Sequence, residues 1–322
     1  MRNIRIENID YPKYESRIKV QGLVGGSRPR LVLTHKTTKK KYIFKSYLHK
    51  TTEVISECLA SYIGKILGIN IQQVSIRRLS KGLANAVKNL SGKMPDDWVP
   101  VGTLASNIFP KSQEIKYGAT IVGTPNSKLT LAQIEEKVRQ KYYAPDDLLQ
   151  DFARMVIFDA IIGNMDRHHE NWGVVETETF RQQIINGSRQ DKTQRHFTPL
   201  YDHGSSLIFE LDENKIDHYL DNQTKFKEEY ILGKKYSFIL NEEGLKENIF
   251  KIIKNNINNR TAWGKRFIKA IKEINKNCNY IEIAKKVIQM PSSSNEIDFS
   301  DKRKELILRS IILRLEELFS MI

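Results

Sequence analysis

Residues 163–173 read GNMDRHHENWG and carry the densest polar chemistry in the chain. Apolar residues recur at three- and four-residue intervals from Leu148 to Ala160, which predicts a buried helix leading into this stretch. Val174 and Val175 follow it and begin a predicted strand. A loop fixed between a buried helix and a strand can hold side chains rigidly, so the stretch is the first candidate for a catalytic site.

The spacing of polar residues in and after this loop indicates phosphoryl transfer. Asp166 and Asn171 stand five apart, which is the D-x-x-x-x-N offset of the protein-kinase catalytic loop. Asp202 follows in YDHG, residues 201–204, after a strand-like segment at 197–201, and a D-x-G aspartate supplies another metal ligand in kinases. Magnesium prefers such oxygen ligands. The alternative is that Asp166 and Asn171 only cap turns.

A glycine-rich segment near the start of the chain is the candidate phosphate-binding loop. Residues 22–30 read GLVGGSRPR. Gly25 and Gly26 allow the backbone to approach phosphate oxygens, while Ser27 and Arg30 offer a hydroxyl and a cation to the same anion. No G-K-[ST] follows, so the segment is not a Walker A loop. The alternative is a hairpin turn with a basic flank.

Lys45 is the candidate lysine for the nucleotide phosphates. It lies in the second of two predicted strands, 31–34 and 41–46, and kinases hold a lysine at such a place with a carboxylate from the next helix. That helix is predicted over 53–67, and Glu57 lies on it beside small residues, with Glu53 as the alternative.

The motif GNMDRHHEN followed by YDHG resembles the catalytic core of HipA-like serine/threonine kinases over about residues 22 to 210. The compact, strongly basic build is similar to the CtkA cell-translocating branch of that family. Together with the patterns above, the resemblance implies an α+β, two-lobed protein-kinase-like fold. Residues 1–106 would form a small β-rich N-lobe with one main helix, and residues 107–322 a larger, mostly helical C-lobe.

Carried onto this sequence, the resemblance implies a role for each candidate residue. Asp166 would be the catalytic base, Asn171 and Asp202 the metal ligands, Lys45 the nucleotide-binding lysine and Glu57 the helix glutamate. The cofactors would then be ATP and Mg2+, and the reaction transfer of the γ-phosphate to a protein hydroxyl, with autophosphorylation as a further expectation.

Four features of the sequence depart from the family pattern. His168 stands two residues after Asp166, where many protein kinases have a lysine, so it has either a direct role at the phosphate or a structural one. Arg30 replaces the lysine of the family's G-x-x-P-K pattern, and Leu23 stands where an inhibitory serine is expected. Only 21 residues precede the glycine-rich segment, so we expect neither the extra N-terminal subdomain of HipA-like toxins nor a DNA-binding antitoxin partner.

The charge and the composition limit the other function classes. The 322-residue chain has a formal net charge of +14, which nucleic acid, an anionic membrane or acidic partners would explain. The basic residues are dispersed and no nucleic-acid motif is found, so a composition rich in Lys, Asn and Ile is an equal explanation. We expect a monomer with a protein substrate and not nucleic acid as partner. No signal peptide or membrane span is predicted, so the expected location is the cytoplasm, with release and action in another cell as the alternative.

The remaining segments are predicted from periodicity and turn residues. Strands are expected at 74–79 and 99–104, a linker at 107–126, a helix at 131–142, an inserted hairpin at 178–196 and four helices from residue 242 onward. The insertions at 81–98 and 178–196 have no assigned role. Cys58 and Cys278 are expected to be buried or incidental thiols of a reducing compartment.

Two other functions compete with a HipA-like protein kinase. D-R-x-x-x-N loops also occur in phosphoinositide kinases, and a basic surface suits inositol lipids. The chain could instead be a nucleic-acid-binding or toxin-like interaction protein that keeps the fold without catalysis, which salt-sensitive DNA binding without nucleotide binding would indicate.

Overall fold

A computed structural model describes residues 7–9, 14–15, 30–46, 51–85, 100–106, 113–123, 128–185, 188–234, 238–292 and 299–322. The chain divides into two structural units. The first comprises Met1–Asn107, Asp202–Ile231 and Cys278–Leu313, and the second comprises Ile108–Tyr201, Leu232–Asn277 and Arg314–Ile322. The predicted lobes, 1–106 and 107–322, are contiguous in sequence, and this division stays a prediction.

Strands and helices alternate in the first half of the chain, and helices dominate the second half. The strands are β1 (Glu7–Ile9), β2 (Tyr14–Glu15), β3 (Arg30–His35), β4 (Lys41–Ser46), β5 (Val74–Leu79), β6 (Val101–Ser106), β7 (Gln113–Tyr117), β8 (Leu129–Thr130), β9 (Gly173–Ile185), β10 (Ser188–Phe197) and β11 (Ile239–Leu240). The helices are α1 (Thr51–Ile66), α2 (Gly118–Val122), α3 (Leu131–Lys141), α4 (Asp146–Ile162), α5 (Glu213–Asp221), α6 (Ile249–Asn258), α7 (Ala262–Asn277), α8 (Tyr280–Gln289) and α9 (Asp301–Phe319). A short helical turn, Gln223–Lys225, and a π-helix, Phe226–Leu232, follow α5.

The first unit contains a six-stranded sheet in the order β1-β5-β6-β4-β3-β2. β1 pairs with β5 in parallel, and the other neighbours pair antiparallel. Because successive side chains of a strand face opposite sides of the sheet, Phe44 packs into the core with Leu33 and Leu104, while its neighbour Lys45 faces the other side. The predicted α+β fold class, with a small and mostly antiparallel sheet early in the chain, is therefore confirmed.

Helix α1 is buried over more of its surface than its sequence pattern predicts. Residues 52–61 are all buried, because the helix packs against β5, β6 and α8. The Ser61 hydroxyl donates to the Gln72 carbonyl at 2.7 Å and accepts from the Val74 amide at 3.2 Å. The Cys58 thiol lies 3.6 Å from the Val74 carbonyl, and burial raises the pKa of this thiol to about 12. Cys58 is thus a structural thiol that stays protonated near neutral pH, as expected.

The second unit joins a three-stranded sheet, β10-β9-β7, to helices α2, α3, α4, α6 and α7. β8 and β11 form a separate two-stranded parallel pair. The predicted helix before the loop is confirmed as α4, and the capping box that begins α3 is present, with Thr130 and Gln133 bonding each other's backbone amides. The predicted hairpin is confirmed as β9 and β10, whose paired residues run from Val174↔Phe197 to Ile185↔Ser188. Among the described residues, no helix has the length and apolarity that crossing a membrane requires.

Two sequence predictions about local structure were wrong. The segment 107–126 was expected to be a linker, yet residues 113–117 form β7, because Ile115 pairs opposite Val175 at an edge of the β9–β10 sheet. The strand expected over 197–201 ends at Phe197, because the next residue makes a different pattern of bonds. The Thr198 amide donates to the Gly173 carbonyl, and the Thr198 hydroxyl accepts from the Gly173 amide. The four helices predicted after residue 242 are all found as α6 to α9.

Gly264 is a test of the packing between α6 and α7. A Cβ added at Gly264 would collide with the Asn256 carbonyl and lie 3.0 Å from Ile257 Cα. Since these obstacles are backbone atoms, the helices must separate, and we expect Gly264→Ala to lower the free energy of unfolding by about 1 to 3 kcal/mol in urea denaturation. Gly82→Ala is the control, because nothing lies within 4 Å of a Cβ there. Equal stability of the two variants would contradict this packing.

Candidate active site

Three charged residues that are far apart in sequence meet in the first unit. The Lys45 ammonium on β4 binds the Asp202 carboxylate and lies 3.9 Å from the Glu57 carboxylate on α1. Their side chains are only 12%, 5% and 21% exposed for Lys45, Glu57 and Asp202. Charges this far removed from water must be paired to be tolerated, so a cation held between two carboxylates is the arrangement that their burial requires.

The backbone at Asp202 has a conformation that few residues adopt. Its φ angle is +60°, in the left-handed region, which aspartate tolerates better than most residues but still at some cost. Leu207 and Ile208 also have positive φ angles, of 54° and 57°. For a β-branched residue such as Ile208 this conformation is a genuine outlier, so the segment after Asp202 must be held by outside contacts.

Arg303 on α9 supplies those contacts. Its guanidinium donates to the Ile208 carbonyl at 3.3 Å, to the Leu211 carbonyl at 2.7 Å and to the Glu213 carboxylate at 2.9 Å. The Ser300 hydroxyl donates to the other oxygen of Glu213 at 2.6 Å. Arg303 is buried, and its bonds therefore fix the strained segment in one conformation.

The loop 163–173 of the second unit is organised around a second buried arginine, Arg167. The Arg167 side chain is 0% exposed, and it donates two parallel hydrogen bonds of 2.9 Å to the two carboxylate oxygens of Asp159 on α4. Its third nitrogen donates to the carbonyls of Asn171, at 2.8 Å, and Tyr201, at 2.7 Å. A planar guanidinium with a bidentate partner has little freedom to rotate, so this side chain fixes both ends of the loop.

Two asparagines complete the loop. Asn164 donates to the Asp159 carboxylate at 3.0 Å and accepts from the Asp166 amide at 3.2 Å. Asn171 donates from its side-chain amide to the Asp166 carbonyl at 2.9 Å. The backbone on both sides of Asp166 is therefore bonded, while the Asp166 side chain is exposed.

Aromatic rings pack against one another at the C-terminal end of the loop. The Trp172 ring stacks on Phe197 with centroids 5.7 Å apart and meets Phe152 of α4 edge-on at 5.2 Å. The Trp172 indole also donates to the His169 ring at 3.3 Å. His169 and Trp172 are buried, so they serve the structure of the loop.

His168 is anchored within the loop. Its Nδ1 accepts from the Glu170 amide at 3.3 Å, and its carbonyl accepts from the Asn171 amide at 2.9 Å. The ring is partly exposed, and a direct role at a phosphate stays a prediction.

The sequence-predicted site residues lie in different parts of the fold. Lys45, Glu57 and Asp202 are brought together in the first unit, and Asp166, His168 and Asn171 share one loop of the second unit. Arg30 begins β3 with its backbone paired to Lys45. The residues Gly25, Gly26 and Ser27 lie outside the described residues.

Asn171 of the second unit and Asp202 of the first each offer an oxygen of the type that magnesium selects. Asn171 uses its side-chain nitrogen on the Asp166 carbonyl, and within the described part of the chain no hydrogen bond reaches its side-chain oxygen, which is the atom that binds a hard cation. Asp202 adds a carboxylate, the other ligand type that magnesium selects. The described residues contain no cluster of three or more His, Cys, Asp or Glu side chains that could hold a metal.

Sequence reasoning missed Asp159, Asn164 and Arg303. Asp159 is the acidic residue within the apolar run 155–162 at the end of α4, and a charge in such a run signals a buried partner. Asn164 bonds only near neighbours in the sequence, Asp159 and Asp166, among the described residues. Arg303 carries no comparable signal, because its bonds depend on residues that only the fold brings near.

Comparisons with known proteins agree with this architecture. The family model described as HipA-like C-terminal domain matches residues 22–263. The chain is similar in structure to the Helicobacter pylori proinflammatory kinase CtkA, with a TM-score of 0.67, 16% identity and coverage of 91% of this chain and 92% of that one. It is also similar to a chain from the Shewanella oneidensis MR-1 toxin–antitoxin complex of HipA, HipB and operator DNA, with a TM-score of 0.52, 12% identity and coverage of 92% and 64%. No curated protein matches the chain in sequence. At these identities the likeness shows the fold, and the predicted kinase-like fold is confirmed.

Arg167 should dominate the stability of the loop. Replacing it with methionine leaves Asp159 buried without its cation, and we expect the free energy of unfolding to fall by about 3 to 5 kcal/mol. Arg139→Met is the matched control, since Arg139 also bonds two carboxylates, Glu135 and Asp146, but at an exposed position, where pairs contribute at most about 1 kcal/mol. Similar losses for both variants in urea denaturation would show that the Arg167 network does not carry the loop.

Proposed function

Because the chain belongs to the HipA-like C-terminal domain family, we propose that it is an ATP- and Mg2+-dependent serine/threonine protein kinase. In this proposal it transfers the γ-phosphate of ATP to a protein hydroxyl, and transfer to its own chain is included. The single observation that carries the proposal is the grouping of Lys45 with Glu57 and Asp202. A lysine held by a helix glutamate beside a D-x-G aspartate is the arrangement with which kinases position nucleotide phosphates.

The roles of these residues follow from their environments. Glu57 is nearly fully buried on a helix packed all round, so it can keep the Lys45 ammonium in place when Asp202 engages another cation. Lys45 would then place its charge on the phosphates of ATP. Asn171 and Asp202 would hold magnesium, which when bound neutralises charge on those phosphates.

Asp166 is proposed as the base. Its carboxylate is exposed, so an acceptor hydroxyl on another protein can approach it. Its backbone is bonded on both sides through Asn164 and Asn171, so the position of the carboxylate is set by the loop and not by the substrate. A base held this way can orient the hydroxyl and take its proton as the phosphate is transferred.

The direct test is incubation of the purified full chain with γ-labelled ATP and magnesium, with and without whole-cell lysate. Label on the chain or on lysate proteins supports the proposal, and stable phosphoserine or phosphothreonine identifies the acceptor hydroxyl. Absence of label in both reactions, from protein that is folded by circular dichroism, would overturn the proposed function.

Asp166→Asn should separate binding from transfer. The change is nearly isosteric and removes the proton acceptor, so we expect magnesium–ATP binding to stay near the wild-type level while transfer falls by at least about a hundredfold. Calorimetry and a transfer assay on the same preparation measure both quantities. Asp202→Asn is the comparison and should weaken both. If Asp166→Asn also loses ATP binding, Asp166 acts on the metal or the fold, and its role as a base is wrong.

Lys45→Met should lower phosphate transfer by about a hundredfold or more, the scale of losing an electrostatic stabiliser at a reacting centre. Lys41→Met is the matched control, because Lys41 lies on the same strand at an exposed position. We expect this control variant to transfer phosphate at the wild-type rate. Rates are compared at saturating peptide or protein acceptor. Equal rates for the two variants would remove Lys45 from the site.

A further inference from the structure

A further buried arginine, Arg314 of α9, contacts the point where the 163–173 loop begins. Arg314 is 2% exposed, and its guanidinium donates to the Ala160 carbonyl at 3.0 Å. The last four carbonyls of a helix lack amide partners within that helix, and the Ala160 carbonyl is one of these four in α4. Arg314 therefore supplies, from another element of the second unit, a bond that α4 cannot make for itself.

The missing side chain at Gly163 lets this guanidinium lie close to the loop. Gly163 ends α4 in the left-handed conformation, with a φ angle of 63°, and its amide donates to the Asp159 carbonyl. A Cβ added at Gly163 would lie 2.9 Å from Nη2 and 3.0 Å from Cζ of Arg314. The guanidinium is thus packed against the backbone that leads into the loop, three residues before Asp166.

The guanidinium is itself held in place. It lies over the Phe250 ring of α6, with Cζ 5.8 Å from the ring centroid, in a cation–π arrangement. A positive charge is also favoured at the C-terminus of α4, where the helix macrodipole is negative. Leu313 and Leu315 are buried on either side of Arg314 in the sequence. A planar group with these partners has little freedom to move, so it is a fixed support for the start of the loop.

We propose that Arg314 is a positioning residue for phosphate transfer, which sets the place of Asp166 through Ala160 and Gly163 without touching the nucleotide or the acceptor. This inference rests on the proposed kinase function and adds a residue to it. Arg167 fixes the loop from within, whereas Arg314 fixes the point at which the loop leaves α4. Since a misplacement of about 1 Å can lower a rate by about a hundredfold, this contact bears on transfer and not on nucleotide binding.

The test is a double-mutant cycle in the full chain, with magnesium, labelled ATP and the acceptor that the wild type labels, its own chain or a lysate protein. We expect Arg314→Met to lower the transfer rate at saturating ATP by about ten- to a hundredfold, with magnesium–ATP binding unchanged in calorimetry. If Arg314 acts through Asp166, the same change in an Asp166→Asn background should lower the rate by no more than about twofold. A role in folding alone would give equal losses in both backgrounds.

Arg309→Met is the matched control. Arg309 also lies on α9 and also donates to a carbonyl in the last turn of a helix, that of Leu220 in α5, at 3.0 Å. Helix α5 does not lead into the 163–173 loop, so we expect this variant to transfer phosphate at the wild-type rate. Equal losses for Arg309→Met and Arg314→Met would assign the effect to α9 as a whole and contradict the inference.

A second pair of variants decides the matter if Arg314→Met does not fold. Gly163→Ala must displace either the guanidinium or the start of the loop, and we expect transfer to fall by about tenfold or more while magnesium–ATP binding persists. Gly123→Ala is its control, because Gly123 ends α2 with a φ angle of 89° and nothing lies within 4 Å of a Cβ there. This control carries the backbone strain without the collision, and equal rates for the two variants would refute the role of Arg314.

The outcomes separate this inference from the proposed function. A wild-type rate for folded Arg314→Met, or an equal loss in the Asp166→Asn background, overturns the inference and leaves the proposed function standing. Loss of magnesium–ATP binding in Arg314→Met would place its effect on the nucleotide and also overturn the inference. No transfer by the wild type would overturn the kinase function, and the inference with it.

Discussion

A guanidinium group with no exposed surface holds the 163–173 loop in place. Arg167 meets Asp159 with both carboxylate oxygens and reaches the carbonyls of Asn171 and Tyr201 with its remaining nitrogen. Burying an ion pair costs free energy, which only complete hydrogen bonding offsets. The loop meets that condition, and in doing so it ties α4 and the residue before Asp202 to one rigid group.

The rest of the candidate site follows from where charges are buried and where they are left in water. Arg167, Asp159 and Asn164 are buried and fix the geometry of the loop, whereas the Asp166 side chain is exposed. In the first unit Lys45 lies between two carboxylates, one nearly buried on α1 and one more exposed in a strained backbone. The buried residues thus fix the geometry of the candidate site, and the more exposed carboxylates are the ones that another molecule can reach.

Sequence alone predicted the parts that are local. The apolar period that predicted α4 and the capping box that begins α3 are short-range signals, and the structure has both elements. Arg303 and its contacts to Ile208 and Leu211 could not be predicted, because they join positions about ninety residues apart through no periodic pattern. β7 was missed for the same reason, since its residues are stabilised by pairing with β9 and not by their own sequence. The roles of the candidate residues remain predictions that the variants decide.

The burial of Cys58 gives the protein an internal reporter of local opening. Cysteine reacts as the thiolate and only when it is accessible. The Cys58 thiol of α1 is buried against Val74 of β5, and its pKa is raised to about 12. It lies directly beside Glu57 in the sequence, and the chain has only one other cysteine, the partly exposed Cys278. The rate at which a thiol reagent modifies Cys58 therefore measures how often α1 lifts from β5, and with it how often the glutamate beside Lys45 leaves its place.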